Sequence, residues 1–202
     1  AVVSSFYPER GPASGATQVV VYGLNLANGS HYTCRFGAVA VAASFDPRNE
    51  TVHCESPAQA AALVALELSL NAQQYTTSGV GFTYYPPPAV SVFSPNAGPT
   101  AGDTLVRLWG EGIDAGREYR CRFGEHVVPS TLDVSSANAT LLCVSPAVAN
   151  ASAVLLEVAI NSQDYTSSAQ AFTYYEPLAV SEVLPRAGIF YGGTELRILG
   201  RG

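Results

Sequence analysis

Lysine and methionine are both absent from the 202 residues, and all ten basic side chains are arginine. Charged residues make up only 13% of the chain, about half the share usual in a soluble domain. Salt-bridge networks therefore cannot be what keeps this surface in water. The net charge of −6 excludes a sequence-independent grip on nucleic acid, which needs a basic face. No apolar run approaches the roughly 18–20 residues of a membrane span. The most apolar stretch, Ala60 to Leu70, is short and carries Glu67, so no membrane insertion is expected in this segment. A basic-then-apolar leader is missing at the start. With no methionine, Ala1 is expected to result from processing or excision from something longer.

What is present repeats itself. Gly11-Pro12-Ala13-Ser14-Gly15 returns as Gly98-Pro99-Thr100-Ala101-Gly102, and Cys34-Arg35-Phe36-Gly37 as Cys121-Arg122-Phe123-Gly124, both 87 positions later (11 to 98, 34 to 121). Cys54 with Ser56-Pro57 matches Cys143 with Ser145-Pro146. Asn71, Gln73 and Tyr75-Thr76 match Asn161, Gln163 and Tyr165-Thr166, and Phe82-Thr83-Tyr84-Tyr85 matches Phe172-Thr173-Tyr174-Tyr175. A third copy opens with Ala179-Val180-Ser181, Pro185, Gly188 and Gly192, which parallel Ala89-Val90-Ser91, Pro95, Gly98 and Gly102. The chain thus divides into module 1 (1–86), module 2 (87–176) and a partial module 3 (177–202).

Each module reads as all-β. Short apolar or alternating runs between turn residues predict strands at Val19–Tyr22, Tyr32–Phe36, Thr51–Cys54, Leu63–Leu70 and Phe82–Tyr85,. Their counterparts are Leu105–Trp109, Tyr119–Phe123, Thr140–Val144, Val154–Ile160 and Phe172–Tyr175. Leu66, Leu68 and Leu70 alternate with Glu67 and Ser69, which favours a strand over a helix there. Roughly seven short strands with turns every 8–12 positions describe an immunoglobulin-like β-sandwich. Pro86-Pro87-Pro88 and Glu176-Pro177 are short, proline-stiffened joints that should hold neighbouring modules at a fixed angle.

Four cysteines allow three pairings, of which repeat symmetry favours Cys34 with Cys54 and Cys121 with Cys143,. Bridges of this kind imply an oxidising compartment. Four Asn-x-Ser/Thr acceptors, at Asn28, Asn49, Asn138 and Asn150, point to N-linked glycans. The clusters Thr76-Thr77-Ser78 and Thr166-Ser167-Ser168 are either polar loop residues or O-glycan acceptors. Covalent glycans are expected; cofactors and metals are not.

The ordered motifs Gly-Pro-x-x-Gly, Cys-Arg-Phe-Gly, cysteine before Ser-Pro, Asn-x-Gln-x-Tyr and Phe-Thr-Tyr-Tyr resemble the IPT/TIG domain. This immunoglobulin-like family occurs in plexins, fibrocystin-like surface proteins and some transcription factors. The resemblance covers nearly the whole chain as two modules and the opening of a third. Acidity, cysteine pairs and sequons set it apart from the transcription-factor branch and on the extracellular side. Its motifs specify a fold and leave function open.

No catalytic constellation can be assembled. His31, His53 and His126 occupy no equivalent places in the two modules. No nucleophile elbow occurs, and the glycine turn at Gly98–Gly102 lacks the lysine of a phosphate loop,. The expectation is a non-enzymatic, extracellular rod with a structural or adhesive role. A head-to-tail filament is a second possibility, assembled through the apolar C-terminal residues Val180, Val183, Leu184, Ile189, Phe190, Leu196, Ile198 and Leu199. Its partners would be other IPT/TIG modules of the same or a neighbouring chain, in a homopolymer or a long multidomain parent. The alternatives are a ligand-binding fragment of a receptor ectodomain and a carbohydrate-binding accessory module.

Overall fold

The computed structural model describes residues 1–135, 139–167 and 170–201. Module 1 is built from β1 (Val2–Tyr7), β2 (Arg10–Pro12), β3 (Gln18–Leu24), β4 (Thr33–Phe36), β5 (Val39–Asp46), β6 (Thr51–Glu55), β7 (Leu63–Ser69) and β8 (Gly81–Tyr85). Hydrogen bonding links them in the order β1-β3-β6-β5-β4-β7-β8-β2. This is a ribbon folded over on itself as a sandwich, and β5 makes the fold. Its first half pairs with β4, ending at Thr33↔Ala42. Its second half pairs with β6, starting at Ala43↔Cys54.

Module 2 repeats the plan with β9 (Ala89–Ser94), β10 (Ala97–Pro99), β11 (Leu105–Glu111), β12 (Arg120–Phe123), β13 (His126–Asp133), β14 (Thr140–Val144), β15 (Ala153–Ala159) and β16 (Gln170–Tyr175). β13 changes over between Pro129, paired with Arg120, and Ser130, paired with Cys143. The sequence pattern leaves β5 and β13 unassigned: neither contains a fully buried residue, the apolar stretch 39–43 shows no alternation, and Pro129 interrupts β13,. It also misses β1 and β9, the first strand of each module, and β2 and β10, each three residues long and running parallel to β8 and β16.

Alternation explains the cores. In β3, Val19 and Val21 are buried while Gln18 and Tyr22 face out. Each core centres on three rings packed edge-on. Phe36 and Phe82 lie 5.2 Å apart and Phe82 and Tyr84 4.9 Å. Phe123, Phe172 and Tyr174 repeat this at 5.2 and 5.0 Å. Edge-to-face pairs add about 0.5–1.5 kcal/mol beyond simple burial. The two cores are separate clusters.

β7 departs from simple alternation. Leu66 and Leu68 point inward, yet Glu67 on the other face is only 6% exposed, because the loop 76–79 covers it. Burial alone would push its carboxyl up. Donors from Thr76, Ser78 and Gly79 outweigh burial and hold the group below the usual carboxylate range. In module 2 the equivalent Glu157 takes a different partner, Arg122, at 2.7 Å. Arg122 also lies 4.2 Å from the Tyr165 ring, as Arg35 does from Tyr75.

The third segment forms a hairpin of β17 (Ala179–Leu184) and β18 (Arg197–Arg201). It copies β1–β3 and β9–β11 down to a bulge where a glycine must pass a carbonyl. A Cβ on Gly23, Gly110 or Gly200 would lie 2.1, 1.9 or 2.5 Å from the oxygen of Val2, Ala89 or Ala179. Only its cover differs: Val90 and Phe93 are buried, whereas Val180 and Val183 are exposed.

Trp109, the one tryptophan, sits in β11, so its fluorescence reports module 2. Phe172→Ala is expected to lower the stability read by Trp109 in urea by about 3–5 kcal/mol. Phe82→Ala should leave that transition nearly in place; an equal shift would mean that the modules unfold as one. Glu67 has a depressed folded-state pKa, so its stabilisation is present above about pH 4.3 and is lost as pH falls through the folded value. Glu67→Gln should therefore destabilise module 1 at neutral pH, with the gap to wild type closing on acidification. Thermal unfolding followed by circular dichroism checks this; a pH-independent gap would refute it.

Candidate functional site: the intermodule joint

The sequence-flagged residues fall in several places. Cys34 of β4 is bonded to Cys54 of β6, and Cys121 of β12 to Cys143 of β14, with Cα separations of 6.4 and 6.2 Å. Each bridge ties the two neighbours of the crossover strand, and all four cysteines are buried. Asn28, Asn49 and Asn150 are exposed. Asn28 sits in the β3–β4 loop with a φ of 63°, and Asn49 donates to Asp46 at 2.8 Å in the β5–β6 turn. Asn138 lies outside the described residues.

The hydroxyl clusters divide. Thr76 and Thr166 accept the amides of Leu68 and Val158 at 3.0 and 3.1 Å, and Thr166 is buried. They act as extra rungs beside β7 and β15. Ser78 donates to Glu67 at 3.2 Å. Thr77 and Ser167 are exposed, and Ser168 lies outside the described residues. In the hairpin region, Val180, Val183, Leu184, Ile189, Phe190, Leu196 and Ile198 are exposed, while Leu199 is half-buried opposite Glu182.

Sequence reading does not anticipate the polar contact between modules 1 and 2. The corner of module 1 formed by the end of β1, β2 and the start of β3 meets two loops of module 2, residues 115–118 and 161–165. Thr17, fully buried, donates from Oγ1 to Asp164 at 2.6 Å. The Gln163 amide grips the main chain of Gln18 from both ends. Its Oε1 accepts the Gln18 N–H at 2.9 Å and its Nε2 donates to the Gln18 carbonyl at 3.3 Å. Asn161, 2% exposed, donates from Nδ2 to the Arg10 carbonyl at 3.1 Å and to Asp164 at 2.7 Å.

Arg10 in turn donates to the Ala115 carbonyl, and the Tyr7 hydroxyl to Glu118. The Arg117–Glu9 pair, 3.9 Å apart and well exposed, adds little. Tyr85 is 3% exposed beside this joint, whereas Tyr175, its counterpart, is 44% exposed. Burial, then the Asp164 charge, hold the Tyr85 phenol well above its ordinary range. Each neutral hydrogen bond nets about 1 kcal/mol, so several acting on modules already tethered by three prolines fix one orientation. The signal in the sequence was the repeated Asn-x-Gln; its role was not readable without the partner surface.

Among the described residues, no group of three or more His, Cys, Asp or Glu side chains could hold a metal ion. Nor, among the described residues, is any helix long and apolar enough to cross a membrane.

Comparison with known proteins agrees with this architecture. The chain is similar to plexin-B3 of Homo sapiens, 29% identical over 119 residues, which is 57% of this chain and 6% of that protein. It is similar to plexin-B3 of Rattus norvegicus at 31% over the same share of each. The chain therefore spans only a small part of these relatives. A solved structure of the full extracellular region of plexin A4 superposes with a TM-score of 0.59 over 96% of this chain and 19% of that one. At 20% identity, that likeness speaks to fold alone. The IPT/TIG domain model matches residues 1–84 and again 88–174, so the chain belongs to the IPT/TIG domain family.

Proposed function

We propose that this chain is a non-catalytic, extracellular stretch of tandem IPT/TIG modules within a longer cell-surface glycoprotein of the receptor-ectodomain kind. Its work is to hold modules at a fixed angle. The observation that carries this is the polar joint, in which Thr17, Gln18, Asn161, Gln163 and Asp164 lock one module to the next. A buried disulfide in each module supports an oxidising, extracytoplasmic setting. Exposed Asn28, Asn49 and Asn150 support N-glycosylation, with Asn138 a further acceptor and Thr77 and Ser167 the accessible hydroxyls for O-glycans. No cofactor takes part.

An adhesive or filament-forming role is a second reading, and the β17–β18 hairpin favours it. Val180, Val183 and Ile198 occupy the places of Val90, Phe93 and Leu108, which are buried in module 2. The hairpin's apolar face thus belongs in the core of a third sandwich. Strands of the same polypeptide can complete it, or a neighbouring chain can do so by strand addition. Concentration-independent sedimentation as a monomer would rule out completion by neighbours of the same kind, whereas a growing head-to-tail series would support it.

The combined change Thr17→Val and Gln163→Ala is expected to leave the Trp109 unfolding transition within about 1–2 kcal/mol of wild type. Small-angle scattering should nonetheless show a broadened distribution of module separations. An unchanged scattering curve would remove the joint as the source of rigidity. Intact mass before and after an N-glycosidase, on protein from a secreting eukaryotic host, should show loss of glycan and Asn-to-Asp conversion at the sequons. Unmodified asparagine at all four would count against the extracellular setting.

A further inference from the structure

The two loops by which module 2 grips module 1 also exist in module 1. Residues 28–31 correspond to 115–118, and 71–75 to 161–165. Their backbone hydrogen bonds match, although Asn28 has a positive φ and Ala115 does not. The amides of Ser30 and His31 donate to the Leu70 carbonyl, as those of Arg117 and Glu118 do to Ile160. The His31–Asn71 bridge repeats Glu118–Asn161. Asn71 Oδ1 accepts the amides of Gln73 and Gln74 at 3.1 Å each, as Asn161 Oδ1 accepts those of Gln163 and Asp164. What differs is cover. Asn161 and Thr166 are buried beneath module 1, while Asn71 is exposed and Thr76 half-buried.

Three bonds of the existing joint read main chain rather than side chains: the two between Gln163 and Gln18, and the one from Asn161 to the Arg10 carbonyl. Any module with the same corner offers those groups, and Asn71 and Gln73 are identical to Asn161 and Gln163. We propose that loops 28–31 and 71–75 of module 1 form a second socket, which takes the β1–β3 corner of a further IPT/TIG module. The proposal rests on the reading of the chain as a fixed-angle array.

The socket's chemistry narrows its partner. Ser30, His31 and Gln74 stand where module 2 has Arg117, Glu118 and Asp164. The Arg117 charge that pairs with Glu9 is therefore gone, and so are the carboxylates that receive Tyr7 and Thr17. The fitting corner is a neutral one, such as that of module 2 itself, which has Asn96 and Ala97 at the places of Glu9 and Arg10. Asn28, a sequon asparagine, stands at the place of Ala115, whose carbonyl receives Arg10 across the joint. An N-linked glycan on Asn28 lies on the rim and closes the socket.

The test joins a copy of residues 87–177 ahead of Ala1 in the full chain. Spin labels go in through an unnatural amino acid at the exposed, equivalent positions Ser5 and Val92. Asn28→Gly removes the sequon and tolerates the positive φ there,. In that variant the distance distribution between the added Val92 and Ser5 is expected to be as narrow, and centred at the same separation, as that between Ser5 and the original Val92. A broad first distribution beside a narrow second one overturns the socket. Breadth in both overturns the fixed-angle array and the socket with it. Gln73→Ala should broaden the first pair alone; no change would remove Gln73 from the contact. With Asn28 retained and glycosylated, the first pair should broaden, and a distribution that stayed narrow would refute closure by the glycan.

Discussion

In each module one strand belongs to both layers, and the covalent bond between its two neighbours fixes where it changes over. β5 leaves β4 after Ala42 and joins β6 at Ala43, while Cys34 and Cys54 span the same gap. β13 does the same between Pro129 and Ser130, beside Cys121 and Cys143. With the bridge in place, β4 and β6 can separate by no more than a disulfide allows, so the layers close at one spacing. The ring cluster of Phe36, Phe82 and Tyr84 then fills that spacing from the β4 and β8 side. Closing a loop of about 20 residues contributes on the order of 3 kcal/mol through the unfolded chain, a large share for a module of this size.

The shortage of charge is consistent with what the structure does elsewhere. Where a carboxylate is buried or half-buried it receives dedicated partners, hydroxyls and amides for Glu67 and a guanidinium for Glu157. The same position is thus satisfied by two unrelated devices in two copies of one fold. In the joint only the exposed Arg117–Glu9 pair, among the described contacts, joins two charges. Asp164, Glu118 and Arg10 each bond an uncharged partner and the three remaining bonds are neutral, so short-range geometry rather than long-range attraction selects the angle. Such contacts are little affected by ionic strength.

Much of this was readable in the residues. The repeat, the strands with alternating valines and leucines and the cysteine pairing follow from period and composition, and the ordered motifs carry the family resemblance. What escaped did so for physical reasons. In β5 the unbroken apolar stretch 39–43 shows no alternating face, and in β13 Pro129 reads as a break, while neither strand has a fully buried residue,. β2 and β10 are held by parallel pairing to a distant strand, which local pattern cannot see. Thr76 and Thr166 read as loop hydroxyls, although each completes a sheet by receiving a backbone amide. Asn161 and Gln163 stood out as repeated residues, but their role depends on a surface about 145–150 positions away in the chain.

The bridges bear on mechanical load. A module in a tandem array is pulled between its first strand and its last. Force of that kind peels β1 or β8 before it reaches the centre of the sheet. The chain between Cys34 and Cys54, and between Cys121 and Cys143, is closed on itself over separations of 20 and 22 residues. Those segments cannot lengthen under tension, so a partly unfolded module releases less slack than its residue count would give.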